Sequence, residues 1–145
     1  MTNSTPQFVL VGDDHERLAV QAVGRVRPDV ASGDDGNWLE AAVEVLAGSF
    51  SGVATCSIRT EDLDEFRSEL VRVVSDPSKT ATFRTMEDQL GISIRAEGEE
   101  DLRIEGHVAD PNPGNRIEFQ VQGKRDQLPA VLKSIEAILG AYPVS

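Results

Sequence analysis

The two histidines and the single cysteine are the side chains in this sequence most often used for chemistry. His15 lies in the acidic run Gly-Asp-Asp-His-Glu-Arg, which suggests a metal ligand, but adjacent residues on a turn rarely converge on one ion. His107 alternates with Arg103 and Glu105, so it is expected on the wet face of a sheet as a cross-strand partner, with a catalytic role as the alternative. Cys56 shares the apolar side of its segment, and such a cysteine usually acts as a small hydrophobe rather than a nucleophile.

Two stretches carry carboxylates and amides of the kind that bind calcium: Asp-Asp-Gly-Asn at 34–37 and Asp-Pro-Asn-Pro-Gly-Asn at 110–115. Neither has the spaced acidic core and distant glutamate of an EF-hand loop. The sequence also lacks a phosphate-binding glycine loop, zinc-ligand spacing and a nucleophile elbow. It therefore predicts no catalytic residue, no metal and no cofactor.

The same short pattern, Gly-Asn followed by a large residue, an aliphatic residue and Glu, occurs at 36–40 and again at 114–118. Glycine and asparagine accept positive φ more readily than other residues, as turns require. One further strand separates the first pattern from the next helix, whereas none separates the second. The pattern therefore predicts a turn used twice rather than a repeated chemical site.

Alternation of apolar and polar residues dominates the chain and predicts half-buried antiparallel strands with one wet face. In the fourth strand, Phe50 falls on the same side as Cys56 and Ile58. The candidate strands are residues 8–11, 18–26, 37–45, 50–58, 81–83, 90–94, 102–108 and 117–121.

Two segments switch to helical spacing. The first spans 60–74, with Thr60 as its N-cap and Asp76-Pro77 at its end. Phe66 belongs to its buried stripe, and Glu69 is expected on the opposite side.

The second helix follows Asp126, its expected cap, and ends near Gly140. The predicted fold class is α+β: a twisted, mainly antiparallel sheet of about seven strands, with two helices packed on one face, in the order strands-helix-strands-helix.

Length and composition limit the classes of protein. A chain of 145 residues fits one domain, here residues 1–145. The first residues show neither the basic nor the apolar part of a signal peptide, and no apolar run is long enough for a membrane span. The expected location is the cytoplasm.

The formal net charge of −11 argues against nucleic acid as a ligand, because an acidic surface repels phosphate backbones. It favours a basic partner. The alternative is that the acidity only keeps a small protein soluble.

Two acidic runs in predicted turns are the candidate contact residues, because side chains there reach a partner without disturbing the core. The runs are Asp34-Asp35 and Glu97, Glu99, Glu100 and Asp101. Trp38, the only tryptophan, has outward parity, so it either anchors a partner or covers a helix end.

Residues 34–70, with an Asn-Trp-Leu strand, a Gly-Ser-Phe-Ser-Gly hairpin and a helix carrying Leu63 and Phe66, resemble the WapI-type immunity proteins. The resemblance is clearest over 38–144 and includes the final strand, helix and Ala-Tyr-Pro-Val segment. It implies a cytoplasmic protein that binds and blocks a cognate toxin domain, often a nuclease, without chemistry of its own.

Other readings remain beside the resemblance. One is a small-molecule-binding or enzymatic α+β domain with a pocket between sheet and helices. Another is a dimer joined through the outer face of the sheet, since the sequence leaves monomer and homodimer open.

Overall fold

The structure is a computed structural model, and it describes residues 6–26, 37–110 and 114–143. These residues form eight strands and two α-helices in which four strands and a helix occur twice in succession. This confirms the α+β class and the order strands-helix-strands-helix. The strands form two four-stranded sheets, whereas a single sheet of about seven was expected.

Each sheet is an antiparallel meander whose strand order follows the chain. The first sheet contains β1 (Gln7–Val11), β2 (Arg17–Arg25), β3 (Trp38–Ala47) and β4 (Phe50–Arg59). The second contains β5 (Thr80–Arg84), β6 (Leu90–Glu97), β7 (Asp101–Ala109) and β8 (Arg116–Lys124). Helix α1 (Thr60–Ser75) joins the two sheets, and α2 (Leu128–Ala141) follows the second.

The helices bury their apolar stripes between the sheets. The stripe of α1 is Leu63, Phe66, Leu70 and Val73, all completely buried. Helix α1 follows the first sheet in the chain and packs along β5 of the second. Helix α2 follows the second sheet and packs along β1 of the first, so each helix covers an edge strand of the sheet that it does not follow.

Glu69, which was expected on the side of α1 opposite the buried stripe, is less exposed than that position suggests. Its side chain is half-buried, and its carboxylate accepts a hydrogen bond of 3.0 Å from the backbone N–H of Thr82. Glu69 therefore caps the free edge of β5 instead of facing solvent alone.

The helix starts also differ from the sequence prediction. Thr60 is the first helical residue, and its buried hydroxyl has no hydrogen-bond partner among the described residues, so it does not cap α1. Instead, Arg59 forms two hydrogen bonds with Asp62, at 2.9 and 2.8 Å. Asp126 lies in a 3-10 turn before α2 and makes no side-chain cap, whereas the helix ends at Ala141, next to Gly140, as expected.

His107 lies on the outer face of the second sheet, as its parity predicts, but it is buried rather than wet. Its ring occupies the space above Gly91, where an added Cβ would lie 2.5 Å from the imidazole Cε1. Its Nε2 lies 2.9 Å from the carbonyl oxygen of Asp88. Because Gly91 has no side chain, the ring of His107 fits over it and is shielded from solvent.

The two Gly-Asn patterns occupy different positions in the fold. Asn37 directly precedes β3, whereas Asn115 lies in the turn between β7 and β8. β4 intervenes before α1 in the first case only. The positions confirm that the two patterns are not copies of one site.

Candidate partner-binding surface

The acidic run at 97–101 forms the hairpin between β6 and β7. Glu97 ends β6, Asp101 begins β7, and Gly98 makes the turn with a φ of +78°. The side chains of Glu97, Glu99 and Glu100 are exposed, as the sequence predicts for a turn.

The hairpin is less negative than its sequence suggests, because Lys124 neutralises Asp101 at one end, and Arg103, which bonds mainly to Glu105, also approaches Glu97 at the other. The Lys124 ammonium lies 2.8 Å from Asp101, and the Arg103 guanidinium lies 3.9 Å from Glu97. The hydrogen bond from Lys124 lowers the pKa of the Asp101 carboxyl, and the same bond raises the pKa of Lys124.

The middle of the hairpin keeps its charge. Arg125 bonds to the carbonyl oxygens of Glu99 and Glu100, at 2.9 and 2.8 Å, and leaves their carboxylates unpaired within the described residues. Glu99 and Glu100 are therefore the two members of the run that are best placed to attract a basic partner.

Trp38 begins β3 and is only partly exposed. The guanidinium of Arg59, its neighbour on β4, lies 6.0 Å from the centre of its ring. Trp38 thus covers the residue that precedes α1 and leaves part of its ring accessible. No contact among the described residues joins it to the acidic hairpin of the other sheet. Asp34 and Asp35 lie outside the described residues.

A further exposed surface, which sequence parity did not predict, lies on β4. Phe50 was expected on the buried side, but it is 71% exposed, as is Val53. The first half of β4 extends past the end of the core, whereas Cys56 and Ile58 in its second half are buried as expected. The sequence signal for this surface is a nine-residue segment, 50–58, without a charged residue.

Candidate chemical groups are few in the described part of the chain. No cluster of three or more histidine, cysteine or acidic side chains there is placed to hold a metal ion. Burial raises the pKa of Cys56 to about 11, so its thiol is protonated at neutral pH and unreactive. Side chains that are almost fully buried fill the space between sheets and helices, where the alternative reading placed a ligand pocket. No helix in the described part is long and apolar enough to cross a membrane.

Comparison with known protein families matches residues 9–143 to the model of the immunity protein WapI-like family. The chain belongs to this WapI-like immunity family. The match extends the predicted resemblance at its N-terminal end, because it includes most of β1 and all of β2. A search of curated protein sequences gives no significant match.

Two solved structures share the fold of this WapI-like chain. One is from the Trypanosoma brucei MRP1/MRP2 crystal structures: it has a TM-score of 0.55 and 9% sequence identity, over 96% of this chain and 86% of that chain. The other is from a guide-RNA-binding protein complex bound to a gRNA, with a TM-score of 0.53 and 10% identity over 95% and 92%. At these identities the likeness shows the fold alone.

Proposed function

We propose that this chain is an immunity protein that binds a cognate toxin domain in the cytoplasm and blocks it without chemistry of its own. The observation that carries the proposal is the family match, which covers nearly the whole chain. The toxin domain would be basic, and a nuclease is the activity that suits such a partner, because nucleases bind phosphate backbones with basic surfaces.

Charge supports the choice of a basic partner. The chain carries a net charge of −11, and the Glu99 and Glu100 carboxylates at the tip of the hairpin form no ion pair within the described residues. Complementary charge raises the rate of encounter and selects against wrong partners. The same negative charge argues against nucleic acid as a direct ligand, even though a fold neighbour is described as bound to gRNA.

The test is binding and inhibition with the toxin domain encoded beside this gene. The purified domain is passed over the immobilised chain, and its toxic activity is measured with and without an equimolar amount of the chain. An unrelated toxin domain of similar positive charge is the matched control. We expect saturable binding and full inhibition for the cognate domain only.

Two results would overturn the proposal. One is the absence of binding and inhibition with every toxin-like product of the neighbouring genes. The other is equal binding of the cognate and control domains, because that would reduce the interaction to nonspecific attraction between opposite charges.

A further inference from the structure

The four edge strands of the two sheets differ in how their free backbone groups are protected. An unprotected edge is a template for pairing with another strand, and proteins usually cover or charge it. At the β1 edge, the Gln127 side-chain amide bonds to both the N–H and the carbonyl oxygen of Val11, each at 2.8 Å. At the β5 edge, Glu69 accepts the N–H of Thr82.

The β8 edge is blunted by charge, since Arg116, Glu118 and Lys124 lie along it. Among the described residues, no side chain bonds to the free backbone groups in the first half of β4, although Asp110 lies beside Val53–Thr55. β4 is ten residues long, it has no proline, and its only charged residue is the last, Arg59.

The geometry of the ladder shows which β4 groups are open. Ser57 donates its N–H to the side chain of Gln89 at 3.4 Å, so this N–H points away from β3. In an antiparallel pair, alternate residues turn their N–H and C=O groups away from the neighbour. Ser51, Val53 and Thr55 therefore do the same, and no hydrogen bond within the described residues reaches them.

Two separate hollows lie beside this edge, and they differ in chemistry. On the side that faces the core, Val45, Val108 and Ile117 line a mainly apolar cavity of about 200 Å³ with the Gly52–Ala54 segment. Arg116, which also reaches this cavity, is paired with Asp88 and Glu118.

On the outer side, Glu40 and Glu87 lie beside Thr55 and Ser57. Neither glutamate forms an ion pair within the described residues. Arg25 lines the same hollow and also lies against the ring of Tyr142, with 5.6 Å between its guanidinium carbon and the ring centre. Among the described residues, this outer hollow thus contains two glutamates and one arginine, so its charge is negative on balance.

We propose that an extended segment of the toxin adds to the β4 edge at Ser51–Thr55 as a fifth strand of the first sheet; this inference rests on the proposed function. Successive side chains of a strand point to opposite faces. The segment would therefore alternate apolar residues, which enter the cavity beside Val45, with lysine or arginine, which approach Glu40 and Glu87. A second copy of this chain suits the edge less well, because it would bring a second net charge of −11 to the same place.

The test uses proline at a position where only the outward N–H is lost. Val53→Pro removes an N–H that makes no bond to β3, and proline is tolerated on sheet edges. Val53→Thr is the matched control, because it keeps the N–H and the β-branched shape. We expect Val53→Pro to weaken binding of the neighbouring-gene toxin domain by about tenfold or more, or roughly 1.4 kcal/mol, and Val53→Thr by far less.

Hydrogen exchange of the wild-type chain gives a second measurement that does not depend on the variant being folded. The amides of Ser51, Val53 and Thr55 should become protected when the toxin domain binds. A collection of overlapping short peptides from that domain should contain one that gives the same protection, and it should alternate apolar and basic residues.

The outcomes separate this inference from the proposed function. If the toxin domain binds and is inhibited but these three amides stay unprotected and Val53→Pro binds normally, the edge is not the site and the immunity function stands. If no toxin domain binds, both fall. A dimer of the chain alone that Val53→Pro dissociates would assign the edge to a second copy and overturn the proposal.

Discussion

The phenyl rings of Phe66 and Phe83 pack edge to face, with their centres 5.5 Å apart. Phe66 belongs to α1, and Phe83 to β5 of the second sheet. On its other side, Phe66 approaches Phe8 of β1, with 6.0 Å between ring centres. One helical side chain thus joins the two sheets, and aromatic pairs of this kind contribute beyond the area they bury.

Phe66→Ala should lower the free energy of unfolding by roughly 3–5 kcal/mol, because it opens a cavity between the two sheets. Glu65→Ala, at an exposed position on the same helix, should change it by no more than about 0.5 kcal/mol. Glu69, on the same helix, is unsuited as a control because its carboxylate accepts a hydrogen bond from the backbone of Thr82. Chemical denaturation measures both variants, and equal losses would contradict the packing of α1.

Asp101→Asn should make the free energy of unfolding depend less on pH in the acid range. The pKa of Asp101 is lower in the folded chain, because Lys124 donates a hydrogen bond to its carboxylate. The carboxylate therefore stabilises the fold at neutral pH, and this contribution is lost as the pH falls from about 4, the ordinary value for aspartate, through the lowered pKa. Unfolding measured between neutral and strongly acid pH should show the two proteins converging in acid. Glu99→Gln is the control, because Glu99 lies in the same hairpin and forms no ion pair within the described residues. A constant difference at all pH values would refute the prediction.

Neutralising the tip of the acidic hairpin should slow association with the toxin domain. The double variant of Glu99→Gln and Glu100→Gln removes two unpaired charges, so its association rate should fall at low salt while its dissociation rate changes little. The effect should shrink at physiological ionic strength, where the screening length is about 8 Å.

The matched control for that experiment removes both partners of the ion pair at one end of the same hairpin, with Asp101→Asn and Lys124→Gln. This pair of substitutions leaves the net charge of the hairpin region unchanged, so the effect on association should be smaller. If the association rate does not change with salt concentration, the negative charge of the chain serves solubility alone and not partner binding.

Trp38→Ala should speed dissociation of the toxin domain if the accessible part of the ring anchors the partner, because loss of an aromatic anchor acts mainly on the dissociation rate. Trp38→Phe should keep most of the contact and is the control. A melting curve of each variant checks that the fold survives the loss of the contact with Arg59. An unchanged dissociation rate in a folded Trp38→Ala variant would restrict Trp38 to a structural role.

Local pattern alone determined the elements of this fold. Alternation over residues such as Leu39, Ala41 and Val43 placed β3, and the spacing of Leu63, Phe66 and Leu70 placed α1, because these periods follow from backbone geometry within one segment. The order of elements, the α+β class and the family resemblance needed nothing beyond neighbouring residues.

Tertiary structure decided everything that depends on residues far apart in the chain. Pairing across strands set the charge of the hairpin, since Asp101 meets Lys124 only through the β7–β8 register. It also buried His107 over Gly91 and left Phe50 outside the core, although parity alone predicted the reverse for both. Parity specifies on which face of a sheet a side chain lies, but the strands packed beside it specify whether that face is covered. The division into two sheets and the open edge of β4 are likewise properties of long-range packing, which no short stretch of the sequence encodes.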